Sequence, residues 1–171
     1  MNMTSGCGEV GVQYHYELVD RHGVVVDSWE DHNLVPLVGL NQITNAAFGD
    51  VSPIGTFYMG LFSNNYVPVM GATSADLPAV VGEFVGYSQT ARPLWNRVGS
   101  EGVQSNAASR AEFTVTADAR LYGGFLVSDA TKGGGTGVLL SVARFSSPRD
   151  VEAGMTLRVR GDFSLVPTNV A

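Results

Sequence analysis

RAEFTVTA (110–117), RLYGGFLVS (120–128), VLLSVARF (138–145) and MTLRVRGDFSLV (155–166) follow one another through the second half of the chain, separated by glycine-rich or polar breaks. Within each run apolar residues fall at alternate positions, the period of a strand with one face toward a core and the other toward solvent or a partner. Their spacing is that of strands in a sandwich or barrel. A half-chain built this way is a packing device, and the role expected of it is the presentation of a rigid β surface.

Upstream, residues 9–20 alternate as cleanly, with Val10, Val12, Tyr14, Tyr16 and Leu18 on one face and Gln13, His15 and Glu17 on the other. Arg21-His22-Gly23 supplies a turn, and VVVDSWE (24–30) returns as the hairpin partner. Asp31-His32-Asn33 breaks the pattern ahead of one helix over residues 36–48. There Pro36 suits the first helical position, Gly49 suits the residue just past the end, and Leu37, Leu40, Ile43, Thr44, Ala47 and Phe48 share a face. Residues 54–63 (IGTFYMGLFS) are apolar on both faces, as a central strand is. Residues 83–88 and 94–98 read as two further short strands and 99–109 as a polar loop. The expected fold is mainly β, an antiparallel β-sandwich or jelly-roll-like architecture or a barrel, with about eight to ten strands and one short helix.

The least ordinary stretch is NNYVPVMGATSADLPAVVG (64–82), charged only at Asp76. Loops this long are uncommon in compact domains, and disorder favours polar sequence, so an apolar loop packs on its own core or on another subunit. Tyr66, Val67, Val69, Met70 and Val80 are its candidate contact residues.

A chain of 171 residues fits one domain, here a β domain over 9–171 behind a flexible arm at 1–8, and can bury roughly 70% of its unfolded surface. The single cysteine, Cys7, forms no internal bridge and reads as an exposed free thiol. Charged residues are 15% of the chain, below the roughly 25% of ordinary domains, whereas its 21 glycines are well above the usual ~7%. The net charge of −6 and the scattered arginines argue against nucleic-acid binding, because no basic stripe exists to neutralise phosphates. The start MNMTSGCGEVG has no signal-peptide pattern, and no run reaches the ~18 apolar residues of a membrane span. No membrane partner is expected.

Several constellations invite a chemical reading. Asp27, Glu30, Asp31 and His32 are ligand-type residues, but at a strand end they serve a turn better than a metal. Lys132 leads the glycines of KGGGTG (132–137), the reverse of a phosphate loop, so a flexible hairpin loop is expected there. Ser128, Ser141 and Asp129 lack a nucleophile elbow and any later histidine. Arg160-Gly161-Asp162 lies inside a strand, where Gly161 would mark a bulge. Trp29 and Trp95 read as core anchors. The expectation is no enzyme, no catalytic residues, no metal and no cofactor.

Taken in order, VGLNQITNAAFG (38–49), FYMGLFS (57–63), the acid of SADLPAVVGE (74–83), YSQTARPLW (87–95), residues 105–145 and VEAGMTLRVR (151–160) resemble a family of small tailed-bacteriophage virion proteins, over residues 34–163. The resemblance implies a structural virion protein. A capsid decoration (cement) protein bridging capsid subunits is the first expectation, and a tail or fibre-associated protein touching the host surface is the alternative. It further implies synthesis in the host bacterial cytoplasm, a place on the capsid exterior, and two partners, the major capsid protein and further copies of the chain, expected as a homotrimer. The chain departs from the family where Gly82 is followed by Glu83 in place of a frequent tryptophan, and in its hairpin at 9–30.

Overall fold

The computed structural model describes residues 10–165, so Cys7 and the expected arm at 1–8 lie outside the described residues. The strands are β1 (Val10–Val19), β2 (Val25–His32), β3 (Tyr58–Phe62), β4 (Val98–Ser100), β5 (Val103–Ser105), β6 (Ala111–Thr114), β7 (Ala119–Val127), β8 (Leu139–Val151) and β9 (Thr156–Leu165), with one α-helix, α1 (Leu37–Ala47). They form two antiparallel sheets, one six-stranded in the order β2-β1-β9-β5-β4 with β6 also on β9, and one three-stranded in the order β3-β7-β8. Of the sandwich and barrel expected, the fold is sandwich-like, and neither sheet closes into a barrel.

Alternation builds the main core. Val12, Tyr14, Tyr16 and Leu18 of β1 with Phe113, Leu157 and Val159 of β6 and β9 meet Met59, Leu61, Leu121, Leu126, Ala143 and Phe145 of the smaller sheet. Each large side chain so buried contributes up to about 1.5–3 kcal/mol. The β1–β2 hairpin forms as its sequence predicts, with the His22 and Val24 N–H groups donating to the Asp20 carboxylate at 2.8 and 2.9 Å.

The smaller sheet is apolar on both faces because it has a second core. Phe62, Phe125, Val127, Leu139 and Val142 pack there under Ala72, Leu77 and Val81 of residues 64–82. Those residues, expected as a loop, contain a short helical segment, a 3₁₀ turn at Ser74–Asp76 running into a π turn at Leu77–Val81. Two short helical pieces therefore stand where one was expected.

Four other expectations are corrected. The seated face of α1 is rotated by roughly a third of a turn from the one its hydropathy suggests. Gly39 is its buried residue, while Leu37 and Phe48 face outward. A Cβ at Gly39 would stand 2.7 Å from the Leu140 carbonyl oxygen, so the helix lies directly on the β8 backbone through a residue with no side chain. Residues 83–88 and 94–98 do not form strands along their length but make single bridges, Glu83 and Leu94 to β3 and Tyr87 to Val115; the hairpin β4–β5 sits instead in the expected polar loop. Gly161 is no bulge, because β9 keeps unbroken register with β1 through it. A Cβ there would come within 2.8 Å of Met59 Cε. Finally, β2 continues through Asp31 and His32, so the expected turn at Asp27 to His32 is strand.

Candidate functional site

Residues 64–82 are apolar on both sides. Ala72, Leu77 and Val81 are buried against the three-stranded sheet, whereas Val67, Val69, Met70 and Val80 are about half exposed or more, Val67 the most at 63%. Tyr66 is half-buried, edge-on to Phe62 with ring centroids 6.2 Å apart. The segment is held firmly. Asn64 Nδ2 donates to the Ala79 and Val80 carbonyls, Arg144 donates to the Tyr66 carbonyl at 2.7 Å, and Ser74 Oγ donates to the Gly137 carbonyl at 2.7 Å. The Leu37 N–H donates to the Met70 carbonyl at 2.9 Å, which joins the segment to the start of α1. Of the five residues named from the sequence, Val67, Val69, Met70 and Val80 are the exposed, uncharged ridge of this segment, while Tyr66 packs inward beside Phe62.

Beside the ridge lies a buried ion pair that sequence reasoning missed. Arg92 donates from Nε to Glu83 Oε1 at 2.9 Å and from Nη2 to Oε2 at 2.6 Å, with side-chain exposures of 0% and 1%. Its remaining donors reach the Asp129 and Gly134 carbonyls, and the Gly133 N–H donates to Glu83 Oε2. Lys132 Nζ donates to the Tyr87 and Gln89 carbonyls and lies 4.2 Å from the Tyr87 ring centroid. The glycine loop joins the antiparallel strands β7 and β8 as the hairpin loop expected, and these bonds pin it in place. The Asp129 carboxyl sits below its ordinary range because the Thr136 hydroxyl, and then the Thr131 N–H, donate to it. The signal available for the ion pair was two opposite charges nine residues apart in a charge-poor stretch.

The acids of β2 separate by strand parity. Asp27 pairs with Arg149 at 3.0 Å and Glu30 with His15 at 2.8 Å on the opposite face, while Asp31 turns inward to accept the Ser146 N–H at 2.9 Å and His32 is exposed. They do not converge on one point, and among the described residues no group of three or more His, Cys, Asp or Glu could hold a metal ion. Burial pushes the Asp31 carboxyl above its ordinary range, against the Ser146 hydrogen bond and the Arg149 charge. A carboxyl raised in the folded state contributes stability below its unfolded value, and that contribution is lost as pH rises through the raised value. Asp31→Asn keeps the acceptor for Ser146 and does not titrate. Its melting temperature is expected to exceed that of the parent at pH 7, with the gap narrowing as pH falls toward ~4. A gap constant with pH would contradict this reading.

The outer face of the larger sheet is a lattice of ion pairs, within and between strands. Arg110 pairs with Glu17, Arg158 with Glu112 at 3.0 Å, Arg160 with Asp162 at 2.6 Å, and His15 stands between Glu30 and Asp162. Burial works against the Asp162 carboxylate, but Arg160 and Ser105 more than offset it and hold the group below its ordinary range. Its two shallow grooves are lined by these already paired charges. Ser141 is buried and bonded to Tyr14 and Asn33, and Ser128 accepts the Val138 N–H. Trp95 donates to the Gly161 carbonyl at 3.0 Å from within the core, and Trp29 stacks on Tyr16. No protein-family model matches the chain, and no curated protein matches it.

Proposed function

We propose that this protein is a structural component of a tailed-bacteriophage particle, a capsid decoration protein that binds the outside of the shell and bridges its subunits without catalysis or cofactor. One observation carries the reading. Residues 64–82 seal their own sheet with Ala72, Leu77 and Val81 yet keep Val67, Val69, Met70 and Val80 on the far side, where folding gives no reason for apolar side chains. A rigidly held ridge without free charge suits burial across a subunit junction, which reinforces a shell by mass action alone. The motifs that resemble virion proteins support the same reading. In this fold Arg92 and Trp95 of YSQTARPLW are structural clips, so the resemblance resides in the scaffold.

The test is Val67→Asp combined with Val69→Asp. Both side chains are exposed, so the fold is expected to survive, while an unpaired charge buried at a junction costs several kcal/mol. Pull-down on capsids lacking this protein is expected to fall at least tenfold, with an unchanged circular-dichroism spectrum. Full binding by the folded double variant would take the ridge out of the contact. Copy number per particle separates shell from tail, since a cement protein repeats with the capsid lattice.

A further inference from the structure

The sandwich begins to close, and stops, where β2 and β8, the edge strands of its two sheets, run side by side. Leu34 and Val142 exchange both backbone hydrogen bonds, at 2.9 and 3.0 Å. Carried on in the same antiparallel register, that pair sets Asp31 beside Phe145 and Asp27 beside Arg149. Their side chains do meet there. Asp31 accepts the Ser146 N–H at 2.9 Å, Trp29 lies edge-on to Phe145, and Asp27 reaches Arg149 at 3.0 Å. Among the described residues, however, no backbone bond joins β2 to β8.

The sequence explains the break. The Asp31 carboxyl takes the Ser146 N–H that a carbonyl of β2 would otherwise accept, and two residues on, where the next donor would face β2, Pro148 has no N–H. The other edge of β8 is loose at the same place, because its pairing with β7 skips from Arg144 to Arg149 and leaves Phe145 to Pro148 opposite Tyr122 alone. Polar groups are also shut in here without partners. Of the five buried side-chain polar atoms with no hydrogen bond among the described residues, three line this seam: Trp29 Nε1, Asp31 Oδ2 and Arg149 Nε, the last close to Asp27 but not aligned to donate. Water would solvate each of them, and the closed seam does not. Arg149 lies over the Trp29 ring, 4.8 Å from its centroid, as the cover of the seam.

We infer that the β2–β8 seam is an opening edge of the sandwich, along which the two strands part beyond the Leu34–Val142 bridge and admit water to Trp29 while both sheets keep their ladders. Opening relieves the stranded groups and breaks no ladder bond, so it precedes global unfolding. The inference is independent of the virion reading. Native-state hydrogen exchange of the full chain tests it. The Trp29 indole N–H and the Ser146 amide are expected to be protected about 100-fold less than the Leu34 and Val142 amides, at a rate that low urea leaves unchanged. Arg149→Ala uncovers Trp29 and is expected to speed exchange at Trp29 and Ser146 together by about tenfold, with Leu34 and Val142 unmoved. Equal protection at all four sites, a Trp29 rate that climbs with urea as the global one does, a variant that speeds all four alike or none, or separate responses of Trp29 and Ser146 would each overturn the inference.

Discussion

Arg92→Met is expected to lower the unfolding free energy by about 3–5 kcal/mol, because it strands the Glu83 carboxylate in the interior without its counter-charge. Both side chains are essentially solvent-free, and four of the five guanidinium N–H groups are engaged, two by Glu83 and one each by the Asp129 and Gly134 carbonyls. The loss is a large fraction of the ~5–15 kcal/mol that holds a typical domain together. Urea denaturation measures it. The second substitution separates a lone buried charge from lost packing. Arg92→Met combined with Glu83→Leu removes both charges and is expected to regain most of the deficit, the non-additivity that marks a coupled pair. A single-variant loss below about 1 kcal/mol would mean that water reaches Glu83 and that the pair is not a buried one.

Asn106→Leu is expected to cost about 3 kcal/mol. Asn106 is fully buried between β5 and β6, where the strand along β9 is interrupted. Its side-chain amide accepts the Gly161 N–H at 2.8 Å and donates to the Val159 carbonyl at 3.1 Å, standing in for the missing peptide. Leucine has similar volume and no polar atoms, so two buried backbone groups lose their partners at about 1–3 kcal/mol each. Amide hydrogen exchange gives the sharper readout. The Gly161 amide is expected to lose protection ahead of the β7–β8 amides. Parallel loss everywhere would make Asn106 a packing residue only.

Much of the fold was legible because burial on one face imposes a period of two. That is why the strands at residues 110–166 and the first hairpin read correctly. The doubly apolar β3, expected as central, stands at the edge of its sheet beside β7, and its two faces are apolar because each meets a different core. The other misreadings share a cause, which is that the deciding atoms carry no hydropathy. The helix orientation turns on Gly39, whose contribution is the absence of a side chain. The strands β4 and β5 are three residues each and largely exposed, so no alternation marks them. Asn106 looks like any loop asparagine until the ladder beside it is known. The ridge was legible because an uncharged, apolar stretch too long for a loop is anomalous in itself, yet which side chains turn outward depends on the short helical segment at residues 74–81.

The central strand of the larger sheet has a temporal consequence. β9 pairs with β1 along one edge, from Val10 opposite Leu165 to Val19 opposite Thr156, and with β5 and β6 along the other. Of the strands in that sheet, the one that joins the others is synthesised last, and its partner β1 first. Contacts so distant in sequence make for slow folding, in milliseconds to seconds, since the long loop must close before any pairing rewards it. Until Thr156 to Leu165 is synthesised, the hairpins β1–β2 and β4–β5 stand apart with open edges, and β6 has no strand to pair with.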